Sequence, residues 1–382
     1  MPSPFALIED LETGTARLFE GARDMLAPCD HGDIPAALQT LESLRQAGER
    51  IAGWIGYDAG FALDPRLAPL RRPSAGPLMW MGAFDRVTAM PVGDVDGWLA
   101  RHSDGGGALG AMQPVIGRDA YLARFDNIIE AIRAGDIYQA NLTIALAGIW
   151  QGDPLAIYRA IRPRAAARFG ALVFDGLQWL LSFSPELFFR ARGTEIETRP
   201  MKGTRPRSAD AEEDRTFASD LAASRKDRAE NLMITDLMRN DLSRLALPGS
   251  VRVEQPFRIE AYPTVFQMTS TVRATLAAGF DAAALFGAMF PCGSITGAPK
   301  LRAMEIIDAV EGGTDRGWQR GPYCGAIGQM DAEGACFNVA IRTLRLTIDG
   351  RATFGVGSGI VADSDGADEW RECLSKARFL AE

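Results

Sequence analysis

Histidine is nearly missing from this 382-residue chain: only His31 and His102 occur, both outside the half where the motifs gather. That scarcity excludes a multi-histidine metal site and a Ser-His-Asp triad there. A metal must then be held by carboxylates, which points to a hard ion such as magnesium, and a general base must be Lys, Glu, Asp or Tyr. Cysteine is also sparse. Cys29, Cys292, Cys324, Cys336 and Cys373 are odd in number and dispersed, with no Cys-x-x-Cys. A reduced, cytoplasmic protein without structural zinc is expected. No apolar run approaches the roughly 20 residues of a membrane span. The start, MPSPFALIEDLETG, is acidic where a signal peptide needs basic residues. Positive charge is in deficit as well, 41 Lys and Arg against 49 Asp and Glu for a net −8, which argues against nucleic-acid or anionic-membrane binding.

What remains is an ordinary globular composition, 47% hydrophobic and 24% charged, with material for a large core. The length suggests two domains or one two-lobed body. RHSDGGGALGAMQP (101–114) reads as a linker between a lobe at 1–110 and a larger unit at 116–382. RDAYLARFDNIIEAIRAGD places Tyr121, Phe125, Ile128, Ile129 and Ile132 at helical spacing, closed by Gly135. IYQANLTIALAGIW, GALVFDG, QWLLSFS, CGAIGQM, FNVAIRTLRLTI and ATFGVGSGIVA read as strands. DRAENLMITDLMRNDLSRL reads as a helix with Leu232, Met233, Leu237 and Met238 on its apolar face, and GADEWRECLSKARFLAE as a closing helix. The mixed order predicts α+β layering rather than a doubly wound sheet.

ETRPMKGTRPR (197–207) sets Lys202 among Arg199, Arg205 and Arg207. Burial and like charge lower a lysine's pKa toward a usable nucleophile; the same stretch also reads as a basic surface turn shaped by Pro200, Gly203 and Pro206. Glu369, Glu372 and Lys376 share one face of the last helix, with Trp370, Leu374 and Ala377 toward a core. Asp227 and Glu230 repeat the acidic i,i+3 spacing on the earlier helix. Two such helices are able to share one magnesium, or simply to present solvated faces. CGSITGAPKLRAMEII (292–307) offers small residues before a helix, an anion site or a plain helix start. GVGSGIVADS (355–364) alternates glycines, which admits a ligand to the backbone or marks a bulge. Together these features describe a pocket for a small molecule with more than one carboxylate.

In order, IYQANLT, SFSPELF, RPMKGTRPR, RAENLMITDLMRNDLSR, SITGAPKLRAMEIID, RGPYCGAIG, NVAIRT, GSGIVADS and EWRECLSKA resemble the chorismate-utilising enzymes over about residues 116–382. The resemblance implies the two-lobed α+β fold of anthranilate synthase component I, with layered antiparallel sheets and outer helices. Within the family it is most similar to the aminodeoxychorismate-forming branch of p-aminobenzoate and folate synthesis. Lys202 stands where anthranilate synthases carry alanine, and this lysine would attack chorismate at C2 as the C4 hydroxyl leaves. Asn231 stands where anthranilate synthases carry histidine. Gln139 stands where isochorismate synthases carry the lysine that activates water.

The resemblance also implies magnesium at Glu230 and Glu372, helped by Asp227 and Glu369. It implies substrate contacts at Gln139, Thr296, Tyr323, Arg342, Gly357, Gly359 and Lys376, with Glu186 as acid or base. Gln267 departs from the family's histidine and cannot shuttle a proton. The resemblance implies that ammonia comes from a separate glutamine amidotransferase subunit, and the lack of a Gly-x-Cys-x-Gly elbow in this chain fits that expectation. The last motif lies near Glu382, so no fused lyase domain is expected. Anthranilate synthase component I and a non-catalytic chorismate-binding protein are the alternatives.

Overall fold

A computed structural model describes residues 3–165, 167–262, 265–312 and 319–381. Every pairing between its strands is antiparallel, and successive pairs make one continuous ribbon. From Arg252–Ala261 it passes through Val265–Thr275, Glu195–Arg199, Leu187–Arg192, Gly334–Val339, Ala326–Met330, Ile51–Ile55 and Met79–Pro91. It continues through Thr15–Leu26, Phe5–Asp10, Phe169–Phe174, Gln178–Ser184, Thr343–Thr347 and Arg351–Ile360 to Gln139–Gly152. Strands from before residue 100 therefore sit inside the sheet made by later ones. The glycine-rich segment is itself sheet-bound: Gly107–Leu109 and Gln113–Pro114 both pair with Gln139–Gly152.

The ribbon folds into two layers because its strands alternate apolar residues on both faces. Ala6, Ile8, Trp54, Trp80, Val173 and Leu180 fill the space between the layers. The opposite faces are covered by helices. Ile51, Ile55, Met79 and Phe337 pack with residues of Ile34–Gln46, Arg225–Ser243 and Ala282–Met289. Leu142, Leu172 and Leu181 pack with residues of Arg118–Arg133, Pro154–Ala165, Lys300–Gly312 and Gly366–Ser375. Layered antiparallel sheets with outer helices are thus the architecture, as the α+β reading expected.

Two expectations are corrected. FNVAIRTLRLTI is not one strand. It breaks between Val339 and Thr343, where the chain leaves one layer for the other, and Arg342 takes φ 52 at the break. The Arg225–Ser243 helix does not bury Leu232, which is 58% exposed; its inward residues are Asn231, Ile234, Thr235, Met238, Asp241 and Leu242. The face is turned because polar side chains find partners inside. Asn231 Oδ1 accepts from Ser270 Oγ at 2.5 Å, and Asp241 meets Lys300 Nζ at 2.6 Å.

Candidate active site

Lys202 owes its position to a bulge. The strand Met201–Pro206 pairs with Val265–Thr275, but three steps from Met201 to Thr204 oppose two from Thr269 to Gln267. Gly203 makes this possible at φ 87, and a Cβ there would lie 2.9 Å from Asp227 Cβ on the neighbouring helix. The extra residue turns Lys202 into a cavity of about 620 Å³ that residues of the helices Arg225–Ser243 and Gly366–Ser375 also line. Burial lowers the Lys202 ammonium; Glu230 opposes the fall, Lys376 adds to it, and Glu186 and Glu372 oppose it. The expectation that nearby arginines do this is corrected. Arg199 is paired with Glu12, Arg205 with Asp227 at 2.9 Å and Arg207 with Asp214 at 2.8 Å, so the neighbouring cation that acts is Lys376.

Glu186, only 3% exposed, lines the same cavity. Burial pushes its carboxyl up to about 7, against the Ser294 hydroxyl, Lys202 and the Met201 N–H, which favour the anion. Its Oε1 has no hydrogen-bond partner among the described residues. A buried acid facing a lysine whose basicity burial lowers is a pair suited to trading a proton with a bound molecule.

The two acidic helices do meet across the cavity, which Asp227, Glu230, Glu369 and Glu372 all line. Asp227 is engaged by Arg205, Glu369 accepts from Ser364 Oγ at 2.7 Å, and Glu372 meets Lys376 at 2.8 Å. Burial pushes Glu372 up, but Lys376, Lys202 and Lys226 outweigh it and leave the carboxyl below its ordinary value. Glu230 has no ion pair among the described residues, and burial raises it. Among the described residues no three potential ligands are already gathered around a point. The donor set is nonetheless all oxygen, and the unpaired Glu230 is the group a hard divalent cation would satisfy.

Of the expected substrate contacts, Tyr323, Arg342, Gly357, Gly359 and Lys376 line the cavity. Arg342 has no hydrogen-bond or ion-pair partner for its guanidinium among the described residues, and burial alone lowers it. An incoming carboxylate would supply the missing countercharge. Lys376 Nζ donates to the Gly357 carbonyl at 2.7 Å. A Cβ on Gly359 would stand 2.6 Å from Lys202 Nζ and 3.2 Å from Gln139 Nε2, so these two side chains converge on one backbone position. Gln139 is fully buried there, with both amide atoms unpartnered among the described residues.

Thr296 is not among the lining residues; its hydroxyl donates to the Cys292 and Gly293 carbonyls behind the cavity wall. Asn231 is also outside the lining, tied to Ser270 and the Met268 carbonyl. Gln267 does face the cavity and accepts from Thr204 Oγ1 at 3.0 Å. Sequence reasoning missed Lys226, Ser294 and Asn141, which line it too. Lys226 was legible as a cation one residue before Asp227 at a helix start; Ser294 and Asn141 lie within the quoted motifs SITGAPKLRAMEIID and IYQANLT but were not singled out.

A desolvated lysine beside a buried acid, ringed by cations and carboxylates, is the equipment of an enzyme for a small polyanionic substrate rather than of a passive carrier. Comparison supplies the family. The chain belongs to the chorismate binding enzymes, whose pattern it matches over residues 10–382. It is 44% identical to aminodeoxychorismate synthase component 1 of Klebsiella aerogenes, over 69% of this chain and 58% of that protein. It is 36% identical to anthranilate synthase component 1 of Streptomyces coelicolor, over 94% of this chain and 65% of that protein. The matched part thus spans less than two thirds of either relative. The crystal structure of anthranilate synthase component I from Streptococcus pneumoniae shares the fold, with a TM-score of 0.78 at 23% identity, covering 100% of this chain and 91% of that one.

Proposed function

We propose that the chain converts chorismate and ammonia to 4-amino-4-deoxychorismate, the reaction for which its Klebsiella aerogenes relative is named. The observation that carries this reading is Lys202, held in the cavity by a bulge and kept below ordinary lysine basicity by burial. Neutral Nζ adds to C2 of chorismate, both ring double bonds shift, and the C4 oxygen departs as water with a proton from Glu186. Ammonia then adds at C4, both double bonds return, and Lys202 leaves C2 with its electron pair restored. Arg342 pairs a substrate carboxylate, and Tyr323 walls the ring position. Gln139 in place of a basic lysine leaves no base to activate water at C2. Glu230 and Glu372, with Asp227 and Glu369, would hold magnesium, which supplies charge neutralisation at the ring carboxylate and polarises the departing hydroxyl side.

The relatives' designation as component 1 supports a partner, a glutamine amidotransferase subunit that delivers ammonia. Five free thiols and no helix long and apolar enough to cross a membrane, among the described residues, support a cytoplasmic setting. The test is to incubate the chain with chorismate, magnesium and an ammonium salt at alkaline pH and identify the products by mass spectrometry. A product in which one hydroxyl has become an amino group, lost in Lys202→Ala, is expected. Anthranilate and pyruvate would instead favour the reaction for which the Streptomyces coelicolor relative is named.

A further inference from the structure

A second cavity, also about 620 Å³, lies behind the active-site helix and shares no lining residue with the first. Leu374 and Ala377 of the C-terminal region face it, whereas Glu369, Glu372 and Lys376 face the first. Its other walls are the helix Pro154–Ala165 and the strap 107–114. The body is apolar: Met112, Leu146, Ile157, Ile161, Leu374 and Leu380. The strap contributes Gly107, Ala108, Gly110 and Ala111 to the lining. Among the described residues the lining contains no Asp or Glu. It contains two cations, Arg164 and Arg378, and neither guanidinium makes a hydrogen bond or ion pair with a described residue. The volume falls within the range of small-molecule sites, which combine an apolar body with a few polar anchors.

We propose that this cavity is a second ligand site for a compact apolar monocarboxylate, aromatic or branched aliphatic. The hydrocarbon part enters between the strap and the helix, and the carboxylate is held by Arg164 and Arg378, whose planar forks suit it. An amine of the same shape would meet two cations and, among the described residues, no acceptor carboxylate, so the site discriminates by charge. This inference does not depend on which reaction the first cavity carries out.

The test is calorimetric titration of the purified chain with benzoate, and with benzylammonium as the cation of matched shape. Benzoate is expected to bind saturably and benzylammonium not. Arg164→Gln with Arg378→Gln should weaken benzoate binding about tenfold or more. Ala160→Phe, which places a ring in the cavity wall, should also weaken it, while Lys202→Ala should leave it unchanged. Thermal melts of the surface arginine variants confirm that they remain folded. No saturable benzoate binding, equal binding of the two probes, or indifference to the arginine changes would overturn the proposal. Loss of binding in Lys202→Ala would place benzoate in the first cavity and overturn it too.

Discussion

Replacing Gly359 with alanine adds one methyl group against the end of Lys202. Gly359 lies in the strand Arg351–Ile360, paired with Asn141, in extended backbone that any residue adopts, so the effect is steric. The new Cβ would stand 2.6 Å from Lys202 Nζ, and an ordinary contact begins near 3.4 Å, so the nitrogen must retreat by about 0.8 Å. The lysine end is flexible and the retreat costs little stability. It does move the reacting atom, and misplacement on the order of 1 Å costs about 100-fold in rate. Gly357→Ala is the contrasting perturbation: its Cβ would meet the Leu142 carbonyl oxygen and Thr143 Cγ2, both at 2.7 Å, where backbone cannot step aside. Turnover of chorismate in each variant, with a thermal melt, separates the cases. Gly359→Ala should fold like the parent and lose about 100-fold in kcat, whereas Gly357→Ala should melt earlier. A Gly359→Ala variant within about twofold of the parent kcat would refute the claim that Lys202 Nζ works at that backbone position.

The buried Glu186 carboxyl sits at about 7 in the folded chain against an ordinary 4.5, so the folded state holds its proton more tightly. This group's contribution to stability is therefore lost as pH rises from about 4.5 through about 7, and Glu186→Gln should gain up to about 3 kcal/mol on the parent across that window. Denaturant melts showing a pH-independent difference would contradict it. Arg342→Lys keeps the charge but not the fork, and should raise the Michaelis constant for chorismate about tenfold, since a hydrogen bond to a charged group contributes about 1.5–3 kcal/mol. Glu230→Gln should raise the magnesium concentration needed for half-maximal turnover while leaving the melt without metal unharmed; an unchanged requirement would remove Glu230 from the ligand set. Arg320 and Glu311 meet at 2.8 Å, both nearly fully buried, and Glu311 also accepts from Thr143. Either single change to Met should cost about 3–5 kcal/mol and the double change less than the sum, measured by chemical denaturation.

The sequence made the helices and most strands legible because their apolar periods are undisturbed, as in Arg118–Arg133 and Gln139–Gly152. It misled where polar residues are buried with partners. Asn231, Thr235 and Asp241 turn inward on the Arg225–Ser243 helix, which no hydrophobic count anticipates. It misled again at Arg342, where the chain changes layers within a run that reads as one strand. Within the candidate site, spacing put Glu369, Glu372 and Lys376 on one face, and that survives because i,i+3 and i,i+4 offsets are local. Burial, the chief cause that depresses Lys202, was expected from the sequence, but the cation that adds to it was not: the arginines beside it in sequence are each drawn away to a carboxylate, and Lys376, 174 positions on, comes near instead. Thr296 and Asn231 show the converse, residues prominent in the motifs whose side chains are spent on the scaffold.

The most direct measurement is of the bond itself. The chain, magnesium and chorismate are mixed without ammonia, quenched, digested and analysed by peptide mass spectrometry. The account predicts that the peptide containing Lys202 carries the mass of chorismate less one water, and that ammonium added before the quench discharges it. An unmodified Lys202 peptide under conditions in which the same preparation turns over chorismate once ammonium is supplied would contradict covalent catalysis by this lysine.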